Sequence, residues 1–190
     1  YNGYRSVKLP HKFKIAVGGC PNNCVKPDLN DVGIIGQLIP NFDEDSCSGC
    51  KKCAVEKFCP VGAAKMKDNL LEIDEEKCNN CGRCIGVCNF DAIADGTLGY
   101  KIYIGGRWGK STAVGRPLSK IFTDKEEALA AIERAILLFR EQGKTGERFA
   151  STISRLGFEY VEKELLDGDI LERKNDTLEA NLHTVGGATC

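Results

Sequence analysis

The sequence has 190 residues, of which 42% are hydrophobic and 7% aromatic, enough to bury the core of one domain with a small insertion. With 26 basic and 27 acidic residues its formal net charge is -1, which predicts neither nucleic acid nor an anionic membrane as a partner. No apolar run approaches the length of a membrane span, and no signal-peptide pattern opens the chain. The chain begins at Tyr1 rather than at a methionine, so we expect it to be part of a longer protein.

The first predicted element is a β-strand over residues 12–17, where apolar residues alternate with other residues. Lys12 and Lys14 are two positions apart and therefore share one face of this strand. On the residues alone, a solvated strand edge is the simpler interpretation of the pair. A second strand is predicted over residues 32–37, and residues 40–45 have the composition of a linker.

The 11 cysteines are unevenly distributed along the chain. Most of them lie between Cys47 and Cys88, two more are Cys20 and Cys24, and Cys190 ends the sequence. Such clustering without a secretory signal favours metal ligation in a reducing cytoplasm over a disulfide framework. The C-x3-C pattern of Cys20 and Cys24 is weak by itself and compatible with two buried structural cysteines. We expect Cys190 to be a free terminal thiol.

The clustered cysteines form two C-x2-C-x2-C runs, each followed by a fourth cysteine. Three cysteines at successive two-residue gaps can hold three corners of a [4Fe–4S] cluster, and in bacterial ferredoxins the fourth cysteine serves the other cluster. This rule predicts two [4Fe–4S] clusters, one held by Cys47, Cys50, Cys53 and Cys88 and the other by Cys78, Cys81, Cys84 and Cys59. Paired zinc knuckles are the alternative interpretation.

The two cysteine runs repeat at a shift of 31 residues, as in a pseudo-twofold two-cluster ferredoxin. Between them, Asp68-Asn69 separates two short stretches and predicts a β-hairpin. We place this ferredoxin domain at residues 41–96. Two features depart from the ferredoxin pattern: five residues rather than three precede Cys59, and asparagine rather than proline follows Cys88.

Beyond the cysteines, a strand is predicted over residues 101–106. Gly105, Gly106 and Gly109 then predict a loop whose backbone can approach a bulky ligand closely.

Helices are predicted in the last third of the chain. The first begins with a capping box formed by Thr123 and Glu126 and ends at Gly143. Its expected inward face carries Leu129, Ile132, Ile136 and Phe139. Further helix is predicted over residues 147–166, whereas residues 167–190 are expected to form a loosely held polar tail.

The order of these motifs resembles the sirohaem-dependent sulfite and nitrite reductases, in particular the small anaerobic and dissimilatory sulfite reductases with an inserted ferredoxin domain. The resemblance rests on Leu9-Pro10-His11-Lys12-Phe13-Lys14, on Gly19-Cys20-Pro21-Asn22-Asn23-Cys24, and on Ile104-Gly105-Gly106-Arg107-Trp108-Gly109. It implies an α+β fold in which a reductase half-domain, residues 1–40 and 97–166, is interrupted by the two-cluster ferredoxin domain.

In that family a further [4Fe–4S] cluster is held by a C-x5-C pair and a C-x3-C pair, and the last cysteine also bridges to the sirohaem iron. The resemblance assigns Cys20 and Cys24 to the second pair, with Cys24 as the bridging thiolate, and places Asn22 at the same cofactor site. No C-x5-C pair precedes Cys20. The chain alone is therefore expected to lack sirohaem and to be inactive, whereas the intact protein is expected to bind it.

The resemblance also implies that Lys12 and Lys14 line an anion site over the haem, where they bind the substrate and supply protons. The Gly105-Gly106 loop is placed at the cofactor. Arg107 is a candidate for holding a sirohaem carboxylate, with Lys110 as a second candidate for that task.

The implied function is electron transfer, together with part of the catalytic centre, in an enzyme that reduces sulfite to sulfide. A donor protein or subunit is expected to supply the electrons. Two alternatives are nitrite reduction to ammonia by the same machinery, and a ferredoxin-like electron-transfer subunit without a catalytic site. His11 and His183 have no metal-ligand neighbours in sequence and are expected to have ordinary roles.

Overall fold

The computed structural model describes residue 4 and residues 6–182. The described chain divides into two compact units. The first takes in the described parts of Tyr1–Gly18, Val25–Ile34 and Lys101–Cys190, and the second takes in Gly19–Cys24 and Ile35–Tyr100. The architecture is α+β, as predicted. Within the described residues, no helix has the length and apolarity needed to cross a bilayer.

Four strands form one sheet in the order β1-β2-β5-β6. They are β1 Ile15–Gly18, β2 Val32–Pro40, β5 Gly96–Ile104 and β6 Arg116–Phe122. The first strand begins three residues later than predicted, because the backbone N–H of Lys14 donates to the side chain of Asp31 instead of entering a strand ladder. β2 extends the predicted strand to Pro40, β5 begins earlier than predicted, and β6 was not predicted.

The long helix α2, Lys125–Gln142, is capped by Asp124, whose carboxylate accepts the backbone N–H of Glu127 at 2.8 Å. The predicted capping box at Thr123 is therefore wrong by one residue. The predicted inward face is also wrong at Leu129, which is 47% exposed, because the helix buries Ala128 instead. Two further helices, α3 Phe149–Leu156 and α4 Phe158–Asp167, occupy the second predicted helical stretch.

Three aromatic rings pack together in the core of the first unit. Phe13 lies 5.6 Å from Phe139 and 5.2 Å from Phe149, measured between ring centroids. Each such pair contributes about 0.5–1.5 kcal/mol beyond its burial. Phe13 lies between Lys12 and Lys14 in the chain, so these contacts fix the segment that carries the two lysines.

Part of the predicted polar tail is a helix, α5 Lys174–Glu179. The guanidinium of Arg140, on α2, donates to the carbonyl oxygens of Thr177, Leu178 and Ala180 at 2.7–3.0 Å. These bonds satisfy carbonyls at the end of α5. The expectation of a loosely held segment is therefore wrong for residues 174–180. His183 and Cys190 lie outside the described residues.

In the second unit, the predicted hairpin is confirmed. β3 Ala64–Lys67 pairs antiparallel with β4 Leu70–Ile73, and Asp68 and Asn69 both have positive φ angles, of 49° and 64°. Such angles suit a two-residue turn whose twist matches that of the strands. The unit also contains α1 Ala54–Phe58.

Candidate functional site

Four of the predicted cluster ligands surround one cavity in the second unit. The residues that line it include Cys59, Cys78, Cys81 and Cys84. Burial raises the pKa of Cys78 and of Cys84, and nearby thiols, Cys59 and Cys81 among them, raise both further. The structure thus brings together the three cysteines of the second run and the fourth cysteine of the first, which is the crossed set predicted for one cluster.

Cys59 is stabilised as a thiolate by the backbone that follows it. Its Sγ accepts a hydrogen bond from the N–H of Ala63 at 3.3 Å. Burial raises the pKa of this thiol, but hydrogen bonds from backbone N–H groups in residues 61–64 together outweigh burial and lower it below its ordinary value. The thiolate is the form of cysteine that binds metals, so this turn favours the ionised form that the predicted cluster would require of Cys59.

Three cysteines of the other predicted set pack against the hydrophobic core of the same unit, as do Cys59 and Cys84 of the first set. Cys47, Cys53 and Cys88 pack against a buried cluster formed by Val55, Ala64, Leu71 and Ile93. The fourth member, Cys50, has its Sγ 3.5 Å from the hydroxyl oxygen of Ser48. Across the described residues, no three His, Cys, Asp or Glu side chains are grouped so as to hold a single metal ion.

The internal repeat of the sequence is also present in the hydrogen bonds of the backbone. The N–H of Asp74 donates to the carbonyl of Ala63 at 2.9 Å, and the N–H of Asp43 donates to that of Ala92 at 2.9 Å. Asp43 and Asp74 each stand four residues before the first cysteine of a run, and each acceptor stands four residues after a fourth cysteine. The start of each repeat is therefore hydrogen-bonded to the end of the other repeat. These bonds place each cysteine run beside the fourth cysteine of the other repeat.

Left-handed backbone recurs at matching positions of the two halves. The third residue of each run has a positive φ angle, which is 64° at Gly49 in the first run and 52° at Asn80 in the second. Three residues after each fourth cysteine, Gly62 and Asp91 have φ angles of 65° and 55°. Glycine, asparagine and aspartate are the residues that tolerate this conformation best. Both cysteine loops therefore turn in the same way.

Cys20 and Cys24 lie in a separate loop of this unit and are exposed. The side-chain amide of Asn22 donates to the Sγ of Cys24 at 3.3 Å, so two of the predicted cofactor residues are in contact. The loop packs closely on β2, because a Cβ on Gly36 would lie 2.5 Å from the carbonyl oxygen of Gly19.

In the first unit, Lys12 and Lys14 have exposed side chains and stand immediately before β1 rather than within it. Their backbones are held by hydrogen bonds. The N–H of Lys12 donates to Nδ1 of His11 at 2.7 Å, and the N–H of Lys14 donates to Asp31 at 2.9 Å. Both ammonium groups are accessible to an anion from outside the chain.

Asp31 connects the segment that carries Lys12 and Lys14 to the glycine loop that begins at Gly105. The sequence alone did not predict this role. Its side chain is 0% exposed and accepts two hydrogen bonds from Arg148, at 2.9 and 2.7 Å. Its carbonyl accepts the N–H of Gly105 at 2.9 Å. The only signal in the sequence is a charged residue directly before the apolar run of β2.

The glycine loop is shaped by the packing of the chain itself. A Cβ on Gly106 would lie 2.2 Å from the carbonyl oxygen of Asp28, so only glycine fits there. Reciprocal backbone hydrogen bonds of 2.8 and 2.9 Å then join Arg107 to Ala113. They close a loop on which the predicted cofactor residue Lys110 is exposed. Arg107 is half-buried at its base.

Comparison with known proteins identifies the family. Residues 1–171 match the family model described as the nitrite and sulphite reductase 4Fe-4S domain. The chain is 31% identical over 174 residues to the coenzyme F420-dependent sulfite reductase of Methanocaldococcus jannaschii, covering 89% of this chain and 27% of that protein. It is 32% identical over 131 residues to the dissimilatory-type sulfite reductase subunit beta of Archaeoglobus fulgidus, covering 64% of this chain and 34% of that subunit.

The fold of the chain also matches a solved structure. The crystal structure of dissimilatory sulfite reductase I superposes with a TM-score of 0.56 at 25% identity, covering 83% of this chain and 43% of that one. The chain therefore spans less than half of each of these three relatives. On the match over residues 1–171, it belongs to the family of nitrite and sulphite reductase 4Fe-4S domains.

Proposed function

We propose that this chain relays electrons within a sirohaem-dependent enzyme that reduces sulfite to sulfide, and supplies part of its catalytic centre. One observation carries the proposal: Cys59, Cys78, Cys81 and Cys84 line a single cavity, in the crossed combination that a two-cluster ferredoxin requires. The relatives reported above are named as sulfite reductases, which favours sulfite over nitrite as the substrate.

The cofactors of this proposal are two [4Fe–4S] clusters in residues 41–96 and a further cluster coupled to sirohaem in the intact protein. When bound, they would supply one-electron transfer and the iron at which an oxyanion is reduced. The chain contributes their thiolates. The turn after Cys59 favours its ionised form through backbone N–H groups, and Asn22 donates to Cys24, the proposed bridging thiolate.

The candidate residues of the first unit are charged. Lys12 and Lys14 present two ammonium groups to the anionic substrate, and fixed cations are most effective where water is excluded. An ammonium group can also donate a proton to an oxygen that leaves as water. Arg107, half-buried at the base of its loop, and Lys110 are proposed to hold carboxylates of the macrocycle.

The electrons are proposed to come from a donor protein or subunit. Two of the relatives that match this chain are named as subunits of dissimilatory-type sulfite reductases, which supports an assembly with other chains. The proposal places this assembly in the reducing cytoplasm, where clustered thiols stay available for iron.

The cluster proposal is tested by metal analysis of the full-length protein after anaerobic purification. Iron should exceed acid-labile sulfide only by the iron of the sirohaem, and Cys59→Ser should remove about four irons per chain. Cys190→Ser, at the predicted free thiol, is the matched control and should keep all of the iron. Zinc without sulfide would identify the paired zinc knuckles instead.

The catalytic part is tested by absorption spectra and turnover. The full-length protein should show sirohaem bands, whereas this chain alone should show iron–sulfur absorption without them. Lys12→Ala or Lys14→Ala should reduce sulfite turnover at unchanged cluster content, and the exposed Lys163→Ala on α4 should not. Iron–sulfur absorption without sirohaem in the full-length protein would favour the electron-transfer subunit, and faster turnover of nitrite than of sulfite would favour the nitrite reductase.

A further inference from the structure

His11 stands next to the proposed anion site and is half-buried. Its Nδ1 accepts a hydrogen bond from the backbone N–H of Lys12 at 2.7 Å. A ring nitrogen that accepts a hydrogen bond carries no proton, so the neutral imidazole has its hydrogen on Nε2. This contact therefore holds the ring in its uncharged form and at the same time occupies the N–H of Lys12.

The charges around the ring also favour the uncharged form. Burial lowers the pKa of His11, and the positive charges of Arg148, Lys12 and Arg107 lower it further. Asp31 acts in the opposite direction, but its carboxylate is already bound by Arg148 at 2.7 and 2.9 Å. Cations thus outnumber anions beside this histidine in the absence of a ligand.

We propose that His11 takes up a proton from solvent when an oxyanion binds beside Lys12. This inference rests on the proposed function, because it takes the anion site at Lys12 as given. The negative charge of the ligand offsets the cations that keep the ring neutral and stabilises the imidazolium. The new proton sits on Nδ1, which can no longer accept the N–H of Lys12, so that N–H becomes available to the bound oxyanion.

The consequence is a site that binds its substrate together with a proton. Reduction of an oxyanion consumes protons as its oxygens leave as water, and an imidazolium beside the ligand can supply one of them. His11 then differs in role from Lys12, whose ammonium carries its charge before the ligand arrives. The pH dependence of anion binding separates the two roles.

The test is calorimetric titration of the oxidised full-length protein with nitrite, without a reductant, in two buffers of different ionisation enthalpy at about pH 7, where His titrates. Nitrite is the probe because it stays ionised there, whereas sulfite itself exchanges protons. The wild type should take up close to one proton per nitrite, and its affinity should fall by up to about tenfold per pH unit as the pH rises.

Two variants separate the histidine from its surroundings. His11→Asn offers an oxygen to the N–H of Lys12 but cannot gain a proton, so proton uptake should be lost. His11→Arg carries a fixed charge and should bind nitrite without proton uptake and with little dependence on pH. His183→Asn, at the other histidine of the sequence, is the matched control and should behave as the wild type.

The outcomes distinguish this inference from the function on which it rests. Failure of the wild type to bind nitrite at full cofactor content would overturn the anion site at Lys12 and this inference with it, whereas the electron relay would still rest on the metal analysis described above. Binding without proton uptake, or uptake that persists in both His11→Asn and His11→Arg, would overturn the role of His11 alone. Iron content and circular dichroism establish that each variant is folded before it is titrated.

Discussion

Asp31 and Arg148 form a buried ion pair in which one guanidinium nitrogen donates to both carboxylate oxygens, at 2.9 and 2.7 Å. Their side chains are 0% and 10% exposed. The same aspartate accepts the N–H of Lys14 through its side chain and the N–H of Gly105 through its carbonyl. One buried residue therefore positions both the lysine segment and the glycine loop of the proposed reductase site.

Replacing Asp31 by asparagine should destabilise the first unit strongly. The amide keeps an oxygen for the N–H of Lys14 but leaves the guanidinium of Arg148 buried without a counter-charge. Removing one partner of a buried ion pair costs about 3–5 kcal/mol. We expect a loss of this size in the free energy of unfolding, measured by denaturant titration and followed by far-UV circular dichroism.

The matched control for Asp31→Asn is Glu159→Gln, the same chemical change at a surface ion pair of the same unit. Glu159 is 82% exposed and lies 3.6 Å from Arg116. Exposed pairs contribute at most about 1 kcal/mol, so this variant should remain close to the wild type. Equal effects of the two substitutions would show that the buried pair does not hold the unit together.

Gly82 and Gly62 provide a matched pair of glycines in the second unit. Both have positive φ, of 70° and 65°, so alanine costs about 1 kcal/mol of backbone strain at either position. A Cβ on Gly82 would also lie 2.5 Å from the side chain of Leu38, whereas Gly62 has nothing within 4 Å. We expect Gly82→Ala, next to Cys81, to lose iron and Gly62→Ala to retain it.

Iron per chain and melting temperature measure the difference between the two glycine variants. A loss of iron in both would mean that backbone conformation, rather than contact with Leu38, limits assembly of the site. Full iron in both would mean that the loop can shift to accept a side chain at Gly82.

The parts of the molecule that could be predicted from sequence are those encoded locally. The hairpin at Asp68-Asn69 needs only a two-residue turn that tolerates positive φ, and both residues adopt it. The cysteine runs encode their own loops in the same way. The position of Cys59 at the same cavity as Cys78, Cys81 and Cys84 also agrees with spacing once the ferredoxin rule is applied.

The parts that could not be predicted depend on distant residues. Asp31 and Arg148 are 117 positions apart, and only the folded chain reveals that they meet. β6 was missed because its sequence alternates poorly: only Leu118 and Phe122 in it are buried. The cationic surroundings of His11 depend on the fold in the same way, because Arg107 and Arg148 come from remote parts of the sequence.

The cap of α2 allows a direct comparison of the predicted and the observed helix start. Asp124→Ala removes the acceptor of the Glu127 N–H and should cost about 1 kcal/mol of stability. Thr123→Ala, at the cap that the sequence predicted, should change the free energy of unfolding by less than about 0.5 kcal/mol. Denaturant titration of both variants measures this. A larger loss at Thr123 would restore the predicted capping box.

Glu147 should make the stability of the first unit depend on pH. Hydrogen bonds from Arg155 are the main reason why the pKa of this carboxyl falls from 4.5 to about 2, and they outweigh the opposing effect of burial. A carboxyl with a lowered pKa in the folded state stabilises the protein above its unfolded value of 4.5, and this stabilisation is lost as the pH falls from 4.5 towards 2.

The full effect of Glu147 is on the order of 3 kcal/mol, because one pKa unit corresponds to about 1.4 kcal/mol. Glu147→Gln cannot ionise, so it should melt well below the wild type at about pH 7, and the gap should narrow at about pH 3 as the wild type loses this contribution. Thermal melting at the two pH values, followed by far-UV circular dichroism, measures the gap. The exposed Glu159→Gln should show no comparable gap at either pH. A gap for Glu147→Gln that stays constant would mean that the stability lost by the variant does not depend on pH, and that ionisation of Glu147 does not stabilise the fold.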